Sequence, residues 1–333
     1  MYRTLIVWGV LIALAVSLMP GGVSARQDTL TVGLSLPTDN GLFYGGVIDG
    51  ATYAAEELNI DLVVVSADND TETELSNIES LIEQQVDVIL LNPTDPELSL
   101  AAVETAVASD IPVFLLGSDV DSAETELDIV SLLTADHRHA GELAGAALCD
   151  AVKDEGTVVQ LVGVPEPAED AEESESTTAI TIRERSEGFS AYMAENCADT
   201  PILPLNVVDL DHDAVVSAFS TLLESEDIAG VFGFNDQSIL AAVEASIIAR
   251  KNAHITFVGF DATEDAVKAI EQGRLQAVVT SDAWVLGELG VRNSVSYLSG
   301  EEVAPNLSVD VMVLNLDALG TFRTRPPRKA GED

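Results

Sequence analysis

Short apolar runs alternate with amphipathic segments along most of the chain. The runs are rich in Val, Ile and Leu and lie at 30–36, 61–66, 86–91, 111–117, 156–163, 201–208, 228–234 and 254–260. They are largely apolar at successive positions, which is typical of strands buried on both faces of a parallel sheet. The pattern therefore predicts two groups of buried strands.

Apolar residues at helical spacing lie between these runs, and they predict helices over 182–195, 213–224 and 236–250. Asp95 is expected to cap a helix that opens with Pro96, and Thr263 to cap a short helix that ends at Gly273. Strands that alternate with helices over such a length predict an α/β fold with parallel sheets. A chain of this length favours two sheets with separate cores.

The first 25 residues have the order of parts of a secretory signal. One base, Arg3, precedes an apolar run over 5–19, and Val23-Ser24-Ala25 supplies small residues for cleavage. The alternative is an N-terminal membrane anchor, but an apolar run of about 15 residues is short for a membrane span. We therefore expect residues 1–25 to be a cleaved signal and the protein to be periplasmic.

Acidic residues dominate the charge, with 57 Asp+Glu against 15 Lys+Arg and a formal net charge of −42. Such a surface repels nucleic acid and anionic membranes, so neither is expected as a partner. The composition is typical of adaptation to a saline habitat, where salt screens the self-repulsion. The alternative is an ordinary acidic secreted protein.

Two cysteines, Cys149 and Cys197, are the only ones in the chain, and each lies at the end of a predicted helix. Export would place them in an oxidising compartment, which favours a disulfide bond between them. Two unpaired thiols are the alternative, and the sequence leaves both open.

Polar and aromatic residues follow the predicted strands, where parallel α/β sheets bind ligands. The segments are GLFYGG (41–46), GSDVDS (117–122), GFNDQS (233–238), GFDAT (259–263) and VVTSDAW (278–284). Aromatic rings cover the apolar faces of sugars, while carboxylates, amides and an arginine bind hydroxyl groups. These segments therefore favour a neutral, polyhydroxylated ligand.

Four motifs resemble those of the type I periplasmic sugar-binding proteins of ABC importers, in the ribose-binding branch. They are ILLNPTD (89–95), TIRERSEGF (181–189), GVFGFND (230–236) and FVGFDATEDAVKAI (257–270). The resemblance covers nearly all of 30–316 and implies two Rossmann-like lobes with parallel sheets, joined by three hinge segments around a ligand cleft. The lobes would comprise 26–135 with 282–310, and 136–281 with 311–322, followed by a flexible tail at 323–333.

The resemblance also implies ligand-binding residues. Arg183 is similar to an arginine whose planar guanidinium binds sugar hydroxyls. Asn235 and Asp261 are similar to the amide and the carboxylate that complete this polar set. Phe43 and Tyr44 fall where aromatic rings sandwich the sugar. The alternatives are an ion pair of Arg183 with Glu184 or the acidic loop, helix caps at Asn235 and Asp261, and ordinary core aromatics.

Several positions depart from the ribose-binding pattern. Gly41 replaces an expected asparagine, and Gly117-Ser118 replace an Asp-Arg pair. We expect Ser118 to line the cleft and Asp119 to restore the carboxylate, while Ser281 stands where glutamine is usual. These changes argue against ribose itself as the ligand.

Neighbours two apart on a helix point about 200° apart, so only one arginine of Arg183 and Arg185 can face the cleft. We expect Arg183 to bind ligand and Arg185 to face solvent or a hinge carboxylate. The same spacing separates His137 from His139, which argues against a metal site there and favours Asp136 as a helix cap. No motif of a catalytic serine, phosphate-binding loop or zinc protease is present, so neither an enzyme nor a cofactor is expected.

These features favour an exported solute-binding protein of an ABC importer. Its expected partners are a small sugar or polyol and a membrane permease, and we expect a monomer that closes around its ligand. The alternative is a sensor of the same fold that presents a bound sugar or furanosyl signal to a membrane receptor or sensor kinase.

Overall fold

The computed structural model describes residues 29–120, 127–152, 156–164, 177–208 and 212–323. The expected signal at 1–25, most of the acidic loop at 165–178, and most of the tail at 323–333 lie outside these ranges. Within them, none of the helices combines the length and the apolar character needed to cross a membrane.

Two six-stranded sheets, each flanked by helices, organise the described chain, and they confirm the predicted α/β fold. The first sheet has the order β11-β5-β4-β3-β1-β2 and the second β12-β10-β9-β8-β6-β7. The strands are β1 (Thr31–Leu36), β2 (Asp61–Ser66), β3 (Val88–Leu91), β4 (Val113–Gly117), β5 (Ile129–Ala135), β6 (Thr157–Val164), β7 (Ile202–Val208), β8 (Ile228–Phe232), β9 (Thr256–Phe260), β10 (Ala277–Ser281), β11 (Asn306–Val309) and β12 (Val311–Asn315). Every pair of neighbouring strands is parallel except β10 and β12.

The helices connect these strands and cover both faces of each sheet. They are α1 (Leu42–Leu58), α2 (Thr71–Glu83), α3 (Leu100–Ala108), α4 (His137–Val152), α5 (Thr177–Asn196), α6 (His212–Ser225), α7 (Asp236–Ile248), α8 (Glu264–Glu271), α9 (Ala283–Leu298) and α10 (Leu316–Arg323). Thr263 caps α8 as expected, since its side chain accepts from the Ala266 N–H. The expected helix at Pro96 is wrong: Asp95 accepts from the N–H groups of Glu97 and Leu98 in a turn, and α3 begins only at Leu100.

We call the part of the chain built on the first sheet lobe one and the part built on the second sheet lobe two. The chain passes from one sheet to the other after β5, after β10 and between β11 and β12, at Asp136, Asp282 and Asp310. The N–H of Asp282 donates to the Asp310 carbonyl over 2.9 Å, which joins two of these crossings directly. At the third, Asp136 accepts from the His139 N–H over 2.9 Å and caps α4 as expected.

Helices α4 and α5 pack unusually closely on one face of lobe two. A Cβ atom at Gly141 would collide with the backbone of Arg185, and one at Gly188 with the backbone of Arg138. Side chains larger than hydrogen would push the helices apart, so these glycines set how near α5 lies to the start of α4. That start carries His137, and α5 carries Arg185.

A disulfide bond joins Cys149 of α4 to Cys197, which follows the last residue of α5, with the two Cα atoms 5.9 Å apart. The alternative of two unpaired thiols is therefore wrong. The bond ties the helices together near their C-terminal ends, about two turns beyond the glycine contacts.

Candidate functional site

A cavity of about 670 Å³ lies between the two lobes, at the carboxyl ends of both sheets. Lobe one contributes two rings, Phe43 and Tyr44, and the polar side chains of Thr38, Asn40, Asn69, Asn92 and Ser118. Lobe two contributes His137, Arg185, Phe260, Asp261, Thr263, Glu264, Thr280 and Ser281. Five of the eight residues expected to bind ligand line this cavity: Phe43, Tyr44, Ser118, Asp261 and Ser281.

The expected orientation of the two arginines is reversed in the structure. Arg185 is only 6% exposed and lines the cavity. The Arg183 side chain is 47% exposed and lies 3.8 Å from the Glu187 carboxylate, so it points to the surface. Three apolar residues of α5 signal this orientation, because Ile182, Phe189 and Met193 are buried and Arg185 falls on their stripe.

The guanidinium of Arg185 is held from three sides. Its Nη1 donates to the Phe234 carbonyl over 2.9 Å, and its Nε donates to His137 Nδ1 over 3.3 Å. Its central carbon lies 3.3 Å from the centre of the Phe260 ring, a cation–π contact. Within the described chain these two acceptors occupy two of its five N–H groups, which leaves three for a group inside the cavity.

The charge of Arg185 is balanced within lobe two. Burial lowers the pKa of Arg185 to about 10, while the carboxylates of Asp261 and Asp236 act in the opposite direction. The guanidinium therefore stays charged at neutral pH. A buried cation with unused N–H groups favours ligands that bring oxygen acceptors to it.

Asp236 holds the turn that carries Asp261. Its Oδ2 accepts from the N–H groups of Ala262 and Thr263 over 2.9 and 2.6 Å, and from the Thr263 hydroxyl over 2.8 Å. Asp261 and Ala262 have φ angles of 114° and 92°, a conformation that L residues rarely adopt. The three hydrogen bonds stabilise this strained turn, which aims the Asp261 carboxylate into the cavity.

Both carboxyl groups have a raised pKa, for related reasons. Burial and the neighbouring charge of Asp261 raise the pKa of Asp236, and burial raises the pKa of Asp261 against the opposing effect of Arg185. Because the charge of Asp261 disfavours ionisation of Asp236, the two groups titrate as a pair.

Replacing Asp236 by asparagine tests this pairing through stability at different pH. Raised pKa values mean that the folded protein keeps protons that the unfolded chain has released, so stability falls as pH rises from about 4 to about 8. We expect a shallower fall of melting temperature over this range in Asp236→Asn than in the wild type. Asp265→Asn, at an exposed carboxylate of α8, should keep the wild-type slope; equal slopes in all three proteins would contradict the pairing.

Asn235 and Asp119 do not line the cavity, contrary to expectation. Asn235 is the N-cap of α7: its Oδ1 accepts from the Ser238 N–H over 2.9 Å, and Ser238 Oγ accepts in return from the Asn235 N–H. Asp119 Oδ1 accepts from the N–H of Val120 over 2.8 Å. Backbone capping therefore occupies the side-chain oxygen of Asn235, as in the alternative of a helix cap.

The aromatic residues cover the cavity from both lobes. Phe43 and Tyr44 meet edge to face, with ring centres 5.3 Å apart, and both also pack against the core of lobe one. Burial and the Asp261 charge raise the pKa of Tyr44 to about 12. The phenol of lobe one therefore interacts electrostatically with a carboxylate of lobe two. Phe260, which the sequence reasoning missed, adds a third ring beneath Arg185.

Asn92 and His137 are further cavity residues that the sequence reasoning missed. Asn92 directly follows β3, is 6% exposed and donates its N–H to the Ser35 carbonyl over 2.9 Å. Its place at the end of a buried strand was the available signal. In the sequence His137 stands out only through its spacing from His139, which points to a metal pair rather than to the cavity.

Comparisons with known proteins agree on one family. Residues 32–302 match the family model described as "Periplasmic binding protein domain". The ribose import binding protein RbsB of Haemophilus influenzae is 32% identical over 307 residues, covering 92% of this chain and 96% of the relative. Two crystal structures share the fold: a periplasmic ribose ABC transporter protein from Conexibacter woesei (TM-score 0.68, 19% identity, 90% of this chain and 95% of that one) and a solute-binding protein from Agrobacterium vitis bound to alpha-D-tagatopyranose (TM-score 0.66, 22% identity, 90% and 97%).

Proposed function

The chain belongs to the type I periplasmic sugar-binding proteins, and on that basis we propose that it captures a small, neutral sugar or polyol for an ABC importer. Its relatives are binding proteins of transporters rather than enzymes, and their class implies export to the periplasm. The cleaved signal at 1–25, the permease partner and the monomeric state are parts of this proposal.

One observation supports the proposal most: a buried arginine faces a cavity shared by both lobes, and some of its N–H groups have no acceptor among the described residues. Arg185 offers three such groups, and the Asp261 carboxylate lines the same wall as an acceptor. A ligand with adjacent hydroxyl groups can accept from the guanidinium through one oxygen and donate to the carboxylate through another. Sugars and polyols have this arrangement of hydroxyl groups.

The rings of lobe one supply the other half of the site. Phe43 and Tyr44 offer apolar surface to the C–H faces of a sugar, while Asn92 and Ser118 lie on the same side of the cavity. A ligand that contacts both lobes favours the closed arrangement over the open one, because it gains contacts that the open protein lacks. The ligand therefore acts as the bridge that closes the lobes.

The charged side chains that line the cavity indicate which solutes it can bind. Arg185 is the one cationic side chain that lines the cavity within the described residues, and Asp261 and Glu264 line the same cavity. Negatively charged sugars would meet these carboxylates and the strongly acidic surface. Sugar phosphates and sugar acids are therefore expected to be rejected.

Titration of the chain from residue 26 onward tests the proposal. The panel is ribose, tagatose, xylitol and myo-inositol, with ribose 5-phosphate and glucuronate as anionic controls. Trp284 is the only tryptophan beyond the expected signal; it is 8% exposed and is the second residue of α9, close to the crossing at Asp282. Its emission should change saturably upon closure.

A neutral member of the panel should also raise the melting temperature, since ligand at 100 times its dissociation constant stabilises by about 2.7 kcal/mol. The anionic controls should have no effect. Binding of the anions alone, or no response to any neutral compound by a folded protein, would contradict the proposed class of ligand.

A further inference from the structure

A chain of hydrogen bonds runs from the ligand cavity through one of the three crossings. Arg185 Nε lies 3.3 Å from His137 Nδ1, His137 Nε2 lies 3.4 Å from Thr134 Oγ1, and Thr134 Oγ1 donates to the Gly117 carbonyl over 2.9 Å. Arg185 and His137 belong to lobe two, whereas Thr134 is the second-last residue of β5 and Gly117 the last residue of β4, both in lobe one. The three contacts therefore connect the two walls of the cavity.

Arg185 determines the direction of both hydrogen bonds that His137 makes. Arginine Nε is always a donor, so His137 Nδ1 must accept and the ring proton must sit on Nε2. That proton points at Thr134 Oγ1, whose own proton is committed to the Gly117 carbonyl. A second proton on His137 would sit on Nδ1 and face the Nε–H of Arg185, so the hydrogen bond between these two residues would be lost.

The surroundings of His137 keep it neutral. Burial and the charge of Arg185 lower the pKa of His137 to about 3, against the opposing effect of Asp136. The ring also lies 6.3 Å from the ring of Phe260, which stacks on the same guanidinium.

We propose that His137 is a positioning residue that links the Arg185 guanidinium to Thr134 across the crossing at Asp136, so that tight closure around ligand depends on this chain. The inference rests on the proposed function, because it assigns the guanidinium of Arg185 to the ligand. His137 orients the Arg185 fork, and Thr134 fixes His137 to lobe one. A ligand that holds Arg185 thereby favours one orientation of the lobes.

Four variants test this link by calorimetry with whichever panel compound stabilises the wild type most. His137→Phe keeps a ring but removes both nitrogens, and Thr134→Val removes the hydroxyl at nearly constant volume. Each should weaken binding about tenfold, the equivalent of about 1.4 kcal/mol. The double variant should bind no more weakly than His137→Phe alone, because the two residues act in series. His137→Gln, whose amide can accept and donate, should recover most of the lost affinity.

The matched control is His139→Phe, two residues further along α4, where the side chain is 52% exposed and pairs with Glu142. It should bind as the wild type does. Wild-type affinity in His137→Phe, or losses for His137→Phe and Thr134→Val that simply add, would overturn the proposal. Failure of the wild type to bind any panel compound would instead count against the proposed function.

Nitrogen-15 NMR of the side chain tests the same chain without any ligand. Only four histidines occur in the protein, and the signal of His137 is the one lost in His137→Gln. The structure predicts a neutral ring with its proton on Nε2 at pH 7. A proton on Nδ1, or a doubly protonated ring, would overturn the proposal regardless of which sugar binds.

Discussion

Arg185→Ala is expected to weaken sugar or polyol binding by 100-fold or more. Hydrogen bonds from a charged donor are worth about 1.5–3 kcal/mol each, and the substitution removes every such bond that the guanidinium makes to the ligand. It also leaves the Asp261 carboxylate without the cation that favours its ionised form. Calorimetric titration with the best panel compound measures the loss.

Two further variants show whether the loss comes from the position and the shape of the Arg185 side chain or only from its charge. Arg183→Ala removes an equally charged side chain two residues away, at the exposed surface, and should leave affinity unchanged. Arg185→Lys keeps a positive charge but loses the planar fork, the stacking on Phe260 and the Nε bond to His137, so it should bind at least tenfold more weakly. Circular dichroism shows whether each variant is folded. Loss of binding in Arg183→Ala with normal binding in Arg185→Ala would restore the original expectation from the sequence.

Removal of the disulfide bond should produce the largest change in stability. Cys149 and Cys197 are 48 residues apart in sequence. A bond that closes a loop of that length lowers the entropy of the unfolded chain, which raises the free energy of unfolding by about 4 kcal/mol in the chain-entropy account. For a protein of this size the loss corresponds to a melting temperature lower by about 6 °C. The double variant Cys149→Ser with Cys197→Ser should show it in thermal unfolding.

Reduction of the wild type provides the control for that experiment. Reductant should lower the wild-type melting temperature to that of the double variant and leave the double variant unchanged. Equal melting temperatures of the oxidised wild type and the double variant would show that the bond contributes nothing. Because the bond lies at the opposite end of α4 from His137, binding by the folded double variant should stay close to that of the wild type.

The architecture could be predicted well because it depends on patterns repeated along the chain. Eight apolar runs rich in Val, Ile and Leu predict buried parallel strands, and each of them is a parallel strand of the structure. Burial was overestimated at β2, which lies at the edge of the first sheet and has no buried residue. The local error at Pro96 has a simple cause. Asp95 does cap backbone N–H groups, but the capped segment is a turn, and capping chemistry alone does not distinguish a turn from the first turn of a helix.

The individual site residues were harder to predict, because each depends on a direction rather than a residue type. Arg183 and Arg185 have identical chemistry, and only the buried stripe of α5 separates them. The sequence allowed Asn235 to serve either a helix cap or the cavity, and in the structure its oxygen accepts from the Ser238 N–H. His137 carries no signal in the sequence, since its role depends on Arg185 from a helix 48 residues further along the chain.

The most direct test of the account is small-angle X-ray scattering of the chain from residue 26 onward, with and without the panel compound that stabilises it most. In the proposed binding mode this ligand bridges Arg185 and Asp261 of lobe two to the rings of lobe one. This binding mode predicts a smaller radius of gyration with saturating ligand in the wild type and in Arg183→Ala, but no change in Arg185→Ala. An unchanged radius in a wild type that demonstrably binds the compound would contradict closure of the lobes around the ligand.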